Sequence, residues 1–362
     1  MAKTWYNLAM LRFFKILLNA IAVIILVSGS FGVGILVAQL KLGAQKNAQK
    51  TPVSSQERTA QEETPVAEEN VVVPENITPQ VQESVVPETV QKEETKFSFA
   101  LVGDTQRFDQ SNPSGSLARA SQNIRKQNVN FVLALGDLVS SCDTTSECEG
   151  KLAKWKTFFK ETIYPVQGNH DRTGKGKADT AWEKVFDLPK NGPSGFVEFA
   201  YSFDFDNSHF VALDSDKPDE FKINGTQRAW LEADLAKNKK KNVFVFFHEP
   251  AYPTNSKIGE GLDTNPADRN ALWAILKKHK VTAVFSGHEH INSRRKVDGI
   301  YQFVFGNTDS FDHLSPNPGM AEYSFVGTNY GIVEVVDEQV TVKVFSTNGV
   351  LLNSFVIPTA AS

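Results

Sequence analysis

Residues 99–108 read FALVGDTQRF: an apolar run, Phe99 to Val102, drives straight into Gly103 and Asp104, and Gln106 stands two residues beyond the aspartate. Taken alone, Gly-Asp after an apolar run is what a tight turn at a strand end requires. The pattern recurs. FSFALV, NFVLAL, TIYPVQ, HFVALD, NVFVFF and VTAVFS have the length and the β-branched or aromatic content of buried strands. Between them, LARASQNIRKQ, KLAKWKTFFKE and QRAWLEADLAK space their apolar residues by three and four, as one face of a helix does. NPADRNALWAILKKHK adds a start signal, Asn265 as cap and Pro266 at the first helical position, and carries basic residues in its last turn. Strand–helix alternation of this kind predicts an α/β domain with a largely parallel sheet. FAYSFDFDNSHFVALDS and YGIVEVVDEQVTVKVFSTNGVLLNSFVI read as hairpins, so antiparallel strands join in. The expected architecture is a mixed two-sheet β-sandwich core flanked by helices.

The first hundred residues read differently. Ile16 to Leu40 is a stretch of 25 uncharged, mostly apolar residues between Lys15 and Lys41. At about 1.5 Å per residue such a helix crosses a hydrocarbon core of about 30 Å. A cleaved signal peptide is the competing reading, since Lys3, Arg12 and Lys15 form a positive leader. The stretch is longer than a usual signal core and no Ala-x-Ala follows it, so 16–40 is expected to be a retained transmembrane anchor behind a cytoplasmic tail, 1–15. Residues 41–96 are dominated by Glu, Gln, Pro, Val and Thr, with no aromatic residue and no helical or strand periodicity. Such a segment cannot bury enough apolar surface to offset its ordering entropy and is expected to be a disordered, acidic linker. The folded domain is then expected over 97–358, outside the cytoplasm. The net charge of −4 leaves no basic footprint for nucleic acid. Cys142 and Cys148, in SCDTTSECEG, read as a local disulfide of an exported domain, with two free thiols or a weak zinc site as alternatives.

Polar residues of ligand type follow five of the runs: Gly103-Asp104, Gly136-Asp137, Gly168-Asn169-His170-Asp171, His248, and Gly287-His288-Glu289-His290. The carboxyl ends of strands are where open α/β sheets build their sites. Each signal has a bland reading, a turn for Gly-Asp and a core histidine for His248, but five in this order leave that reading little room. The series GDTQ, GDLV, GNHD, FHEPAY and GHEH resembles the motifs of the calcineurin-like metallophosphoesterases, and FHEPAY with the C-terminal hairpins is most similar to their purple acid phosphatase side.

The resemblance implies a four-layer fold and a phosphoesterase with two divalent ions, Mn, Fe or Zn, about 3.5–4 Å apart. It implies that Asp137 bridges them, that Asp104, Gln106 and His290 complete the first site, and that Asn169, His248 and His288 complete the second. A metal-bound hydroxide would attack phosphorus in line. His170 would pass a proton to the departing oxygen, with Asp171 orienting its imidazole. Arg172, Lys175 and Lys177, directly after the tetrad, read either as a phosphate-holding loop or as a solvated one, and Asn169 and Arg172 are the candidate substrate contacts.

Two positions depart from the pattern. Purple members carry a tyrosinate on iron four residues after the Gly of the second motif, and here that residue is Ser140, which argues against a ferric tyrosinate. Gln106 is neutral and less basic than the histidine more often found there. A non-catalytic, surface-displayed binding domain with a structural metal site is the alternative function; a degraded site should have lost His170 or Asp137, and both are present. Monoester and diester substrates are not separable at this level, and nothing marks a protein partner.

Overall fold

The computed structural model describes residues 95–358 apart from 112, 173–175, 256, 311 and 318, and for 176 and 177 the backbone alone. The segments expected to be a tail (1–15), an anchor (16–40) and, for nearly all its length, a linker (41–96) lie outside the described residues. Among the described residues no helix is long and apolar enough to cross a membrane.

The six apolar runs become β1 (Lys96–Val102), β2 (Phe131–Leu135), β3 (Thr162–Val166), β5 (Ser208–Ala212), β6 (Asn242–Phe246) and β7 (Ala283–Ser286). The hairpin segments supply β4 (Tyr201–Phe205), β11 (Asn329–Val336), β12 (Gln339–Ser346) and β13 (Leu351–Ile357). Three more strands, β8 (Asn292–Val297), β9 (Ile300–Phe305) and β10 (Tyr323–Phe325), complete two sheets ordered β13-β12-β11-β1-β2-β3 and β10-β8-β9-β7-β6-β5-β4. In the first sheet β1-β2-β3 are parallel out to the β3 edge, with the antiparallel β11-β12-β13 on the other side, and in the second a parallel centre, β5-β6-β7-β9, has antiparallel strands at both margins. Parallel strands covered on both faces read as continuous apolar runs rather than alternating ones, which is why β2, β6 and β7 are buried along their whole length. Pro165 is tolerated in β3 because that strand is an edge.

Between the sheets lies a layer of phenylalanines. The Phe99 and Phe131 rings stack at 5.2 Å and 4°, and Phe99 meets Phe210, Phe244 and Phe285 of the opposite sheet edge-on. Each buried ring contributes about 1.5–3 kcal/mol by transfer from water. Helices cover the outer faces. α1 (Ser116–Lys126) and α2 (Thr145–Lys156) press Leu117, Ile124, Leu152 and Trp155 into the core shared with the first sheet. α3 (Gly176–Val185) adds Ala181 and Trp182 to that core. α4 (Gly225–Lys237) and α5 (Pro266–Lys278) pack Leu231, Leu235, Leu272, Trp273 and Leu276 on the second sheet. The result is helix, sheet, sheet, helix.

Two local expectations are corrected. Asn265 precedes Pro266 but makes no capping bond with its side chain; its Nδ2 donates instead to the Phe221 carbonyl at 3.1 Å. α2 begins six residues before KLAKWKTFFKE and stops within it; at its start the Thr144 hydroxyl caps Glu147 N, and the Glu147 carboxylate reaches past the cap to accept from Asp143 N. Cys142 and Cys148 are joined by a disulfide across that helix start.

Candidate metal centre

Every motif residue sits where a strand runs out. Beyond β1 and β2 the two chains are laced together, Asp104 N to Gly136 O at 3.1 Å and Thr105 N to Asp137 O at 2.8 Å. The segment after β9 closes from the other sheet, with Thr308 N on Gly103 O and Asp309 N on Asp104 O. Asp104, Asp137 and His288 all adopt left-handed backbone, φ 52°, 51° and 65°, which turns the chain sharply and throws each side chain into one space. The backbone there has no room to spare. A Cβ on Gly168 would stand 2.3 Å from Asp137 Oδ1, and one on Gly287 would stand 2.6 Å from Asp104 Oδ2.

One ligand atom from each of Asp104, Asp137 and His248 lies within 4.8 Å of the others, and the same holds for His248, Glu249 and His288. His248 Nε2 is 3.4 Å from Asp137 Oδ1 and 3.3 Å from Asn169 Oδ1, and its Nδ1 donates to Leu135 O. His288 Nδ1 is 3.1 Å from Asn169 Oδ1, and His290 Nε2 is 3.3 Å from Asp104 Oδ1. The side chains named from the sequence for the second site therefore converge, as do Asp104 and His290 for the first.

Charge in this pocket is tightly contested. Burial pushes the Asp137 carboxyl up, but the His248 imidazole beside it holds it well below the usual range. Burial presses His248 down, and Asp137 and Glu249 overcome this and raise it well above its ordinary value. Burial, reinforced by His248, keeps His288 neutral, the form that offers a lone pair. Burial also lifts Glu249 to about 8.

The donor set fits a pair of divalent cations. Gln106 Oε1, His288 Nε2 and His290 Nδ1 are buried without a hydrogen-bond partner among the described residues. Leaving each such atom unpaired costs about 1–3 kcal/mol, and a cation would relieve it. Carboxylate, amide and imidazole without thiolate suit Mn, Fe or Zn.

Gln106 arrives by an unexpected route. The chain turns left-handed at Asp104, just beyond β1, and Gln106 opens a 3-10 turn over Gln106–Asp109. Its side chain is nonetheless buried. Asp171 also differs. Its Oδ1 accepts from the amides of Leu138 and Val139 and its Oδ2 from Gly168, so it braces the backbone under the site rather than orienting His170. His170 is held through its own amide, which donates to Asp137 Oδ1 at 2.8 Å, while its ring is 45% exposed at the mouth. Arg172 donates to the Asp216 carbonyl and faces Asp179; the Lys175 and Lys177 side chains lie outside the description. Ser140 donates from both amide and hydroxyl to Asp109 Oδ2. Outside the cluster, His279 pairs with Glu232, and His313 Nδ1 bonds Asn307. Glu249 was missed from the sequence, and its only signal is that it follows His248.

The profile of the calcineurin-like phosphoesterase family matches residues 97–292. Tartrate-resistant acid phosphatase type 5 of Sus scrofa is 23% identical over 274 residues, which cover 66% of this chain and 78% of that protein. Purple acid phosphatase 22 of Arabidopsis thaliana is 30% identical over 209 residues, 55% of this chain and 45% of its own length. The structure of a purple acid phosphatase from yellow lupin (Lupinus luteus) seeds superposes with a TM-score of 0.61 at 15% identity, covering 72% of this chain and 53% of that one.

Proposed function

The chain belongs to the calcineurin-like phosphoesterase family, on its purple acid phosphatase side, and is a metal-dependent phosphoesterase; from that premise we propose which residues carry the reaction and where it takes place. Asp104, Gln106, Asp137 and His290 hold one ion, and Asp137, Asn169, His248 and His288 hold the other. The observation that carries this reading is the position of Asp137, whose Oδ1 meets both His248 and the His170 amide at the centre of the cluster. A pair of divalent ions held by these residues would supply Lewis-acid chemistry for phosphoester hydrolysis and offset the phosphoryl charge.

The remaining work falls to the chain. His170, fixed by its amide and open to solvent at its ring, gives a proton to the departing ester oxygen. Asp171 keeps the amides of Leu138, Val139 and Gly168 in place beneath the ligands. The Asn169 amide nitrogen is the candidate contact for the substrate phosphate, and Arg172, also expected there, is instead engaged by the Asp216 carbonyl and Asp179. Lys257, paired with Glu260, sets a positive charge that works against protonation of His288 and His290, although His290 is raised overall by Asp104.

The reaction takes place outside the cytoplasm, on a domain tethered by an anchor at 16–40 through the acidic linker. The 25-residue uncharged stretch supports this, as does the disulfide between Cys142 and Cys148, a bond of oxidising compartments. The test is metal analysis of the purified full chain followed by turnover of a panel of phosphate mono- and diesters. Two ions per chain with hydrolysis of at least one ester is the expected result. A folded, two-ion protein that turns over none of them would point to a binding domain with a structural metal site.

A further inference from the structure

Phe221 lies in the loop between β5 and α4, and its ring centroid is 6.0 Å from that of His288, with 57° between the planes. Its φ is +59°. In that conformation Cβ crowds the following carbonyl, so a bulky residue there is a true outlier, and such strain collects at functional sites. Among the described non-glycine residues at positive φ, Asp104, Asp137 and His288 belong to the metal centre, and Asn128, Asp206, Asp298 and Asp337 are of the Asn/Asp type that tolerates it. The other three are Glu198, Lys280 and Phe221, and of these only Phe221 has its side chain against a residue of the centre, His288.

The conformation is held by backbone rather than by the ring. Lys222 N donates to Ser215 O at 2.7 Å, and Asn265 Nδ2 donates to the Phe221 carbonyl at 3.1 Å. A glycine would adopt the same φ without strain. The phenyl is only half-buried, so it fills no part of either hydrophobic core. A ring kept at a position that suits glycine, against a candidate ligand and partly open, is best explained by what it touches.

We infer that Phe221 is a specificity-determining platform, its free face taking the planar leaving group of an aryl phosphate. The inference rests on the phosphoesterase reading above. A phosphoester bound at the centre that His288 helps to hold has this ring within reach of its ester substituent, where an aromatic group stacks and a short polar alkyl chain gains little.

The test uses the full chain with Phe221→Gly and Phe221→Trp, assayed on phenyl phosphate and on glycerol 2-phosphate, each substrate compared only with itself so that leaving-group acidity cancels. Phe221→Gly should keep its metal content and a Tm at or above that of the parent. Its kcat/KM for phenyl phosphate should fall about tenfold, the size of one aromatic pair, chiefly through KM, with a several-fold smaller loss on glycerol 2-phosphate. Phe221→Trp should retain the preference. Equal losses on both esters, or loss of an ion, would make the ring a mere buttress of His288 and overturn the inference, as would no change on either. Failure of the parent protein to hydrolyse any ester is a different outcome, because it removes the phosphoesterase reading and this inference with it.

Discussion

At the amino end of β5, His209 is held between two carboxylates, Nδ1 2.7 Å from Asp204 Oδ1 and Nε2 2.8 Å from Asp234 Oδ2. At the carboxyl ends of β6 and β7 the imidazoles are also crowded by acid, yet His288 Nε2 and His290 Nδ1 have no hydrogen-bond partner among the described residues. His209 uses both nitrogens on carboxylates, whereas His288 and His290 each keep one in reserve, and His248 is met at Nε2 only by Asp137 and Asn169, themselves candidate ligands. His209 ties the edge hairpin β4–β5 to α4 and has nothing left to offer. The difference shows what separates a strut from a ligand: the residue type is the same, and a nitrogen left open or turned toward other ligand groups decides.

Four substitutions test that contrast, the first at its centre. Asp137→Asn should lower turnover by about 10³-fold or more, since it removes charge at the point where both sites meet; near-parent turnover with two ions still bound would break the two-ion assignment. His170→Ala should cost about 10²-fold with metal content intact and with the larger loss on esters of poor leaving groups. A loss that ignores leaving-group acidity would argue that His170 only shapes the mouth.

Gln106→Leu should weaken one ion by about tenfold and spare the other, as read by metal stoichiometry after dialysis. If both ions stay at parental affinity, the buried amide is as closed as His209 and the first site is completed elsewhere. The smallest effect belongs to His209 itself. Burial lowers its pKa, but the bonds to Asp234 and Asp204 outweigh this and raise it, while Lys240 stands 3.8 Å from Asp204 and tempers the pair. A raised folded-state value means that the clamp stabilises fully below the ordinary histidine pKa of about 6.5 and that this contribution is lost as pH rises through the folded value. His209→Gln should therefore lower Tm by about 2 °C in mild acid and by less in mild alkali, with turnover unaffected. A Tm difference independent of pH would show that the clamp does not titrate.

Legibility in the sequence followed burial. β1, β2, β5, β6 and β7 were readable because strands covered on both faces leave unbroken apolar runs. β8 was not, because NSRRKV looks like a solvated charge run; its arginines are instead laid over rings, Arg294 at 3.7 Å from Phe355 and Arg295 at 5.7 Å from Tyr252, with Glu322 neutralising the first. At the site, ligand types at strand ends were legible because the chemistry admits few residues. The backbone conformation that aims them was not. A left-handed turn at Asp104 and a 3-10 turn at Gln106 depend on bonds to Gly136, Asp137 and Asp309, more than thirty residues away in the chain. Asp171 was misread for the same reason, since its amide partners are set by tertiary packing.

The glycines under the ligands carry a consequence for how such a protein is able to change. A methyl group on Gly168 or Gly287 would collide with Asp137, Asp104 or His248, so the floor of the pocket tolerates a single arrangement and resists adjustment one atom at a time. The rim is built otherwise. The Phe221 ring lies against His288, and the charge of Lys257 acts on His288 and His290. A chain of this kind can exchange one ester for another by rewriting its rim, with the machinery beneath left as it stands.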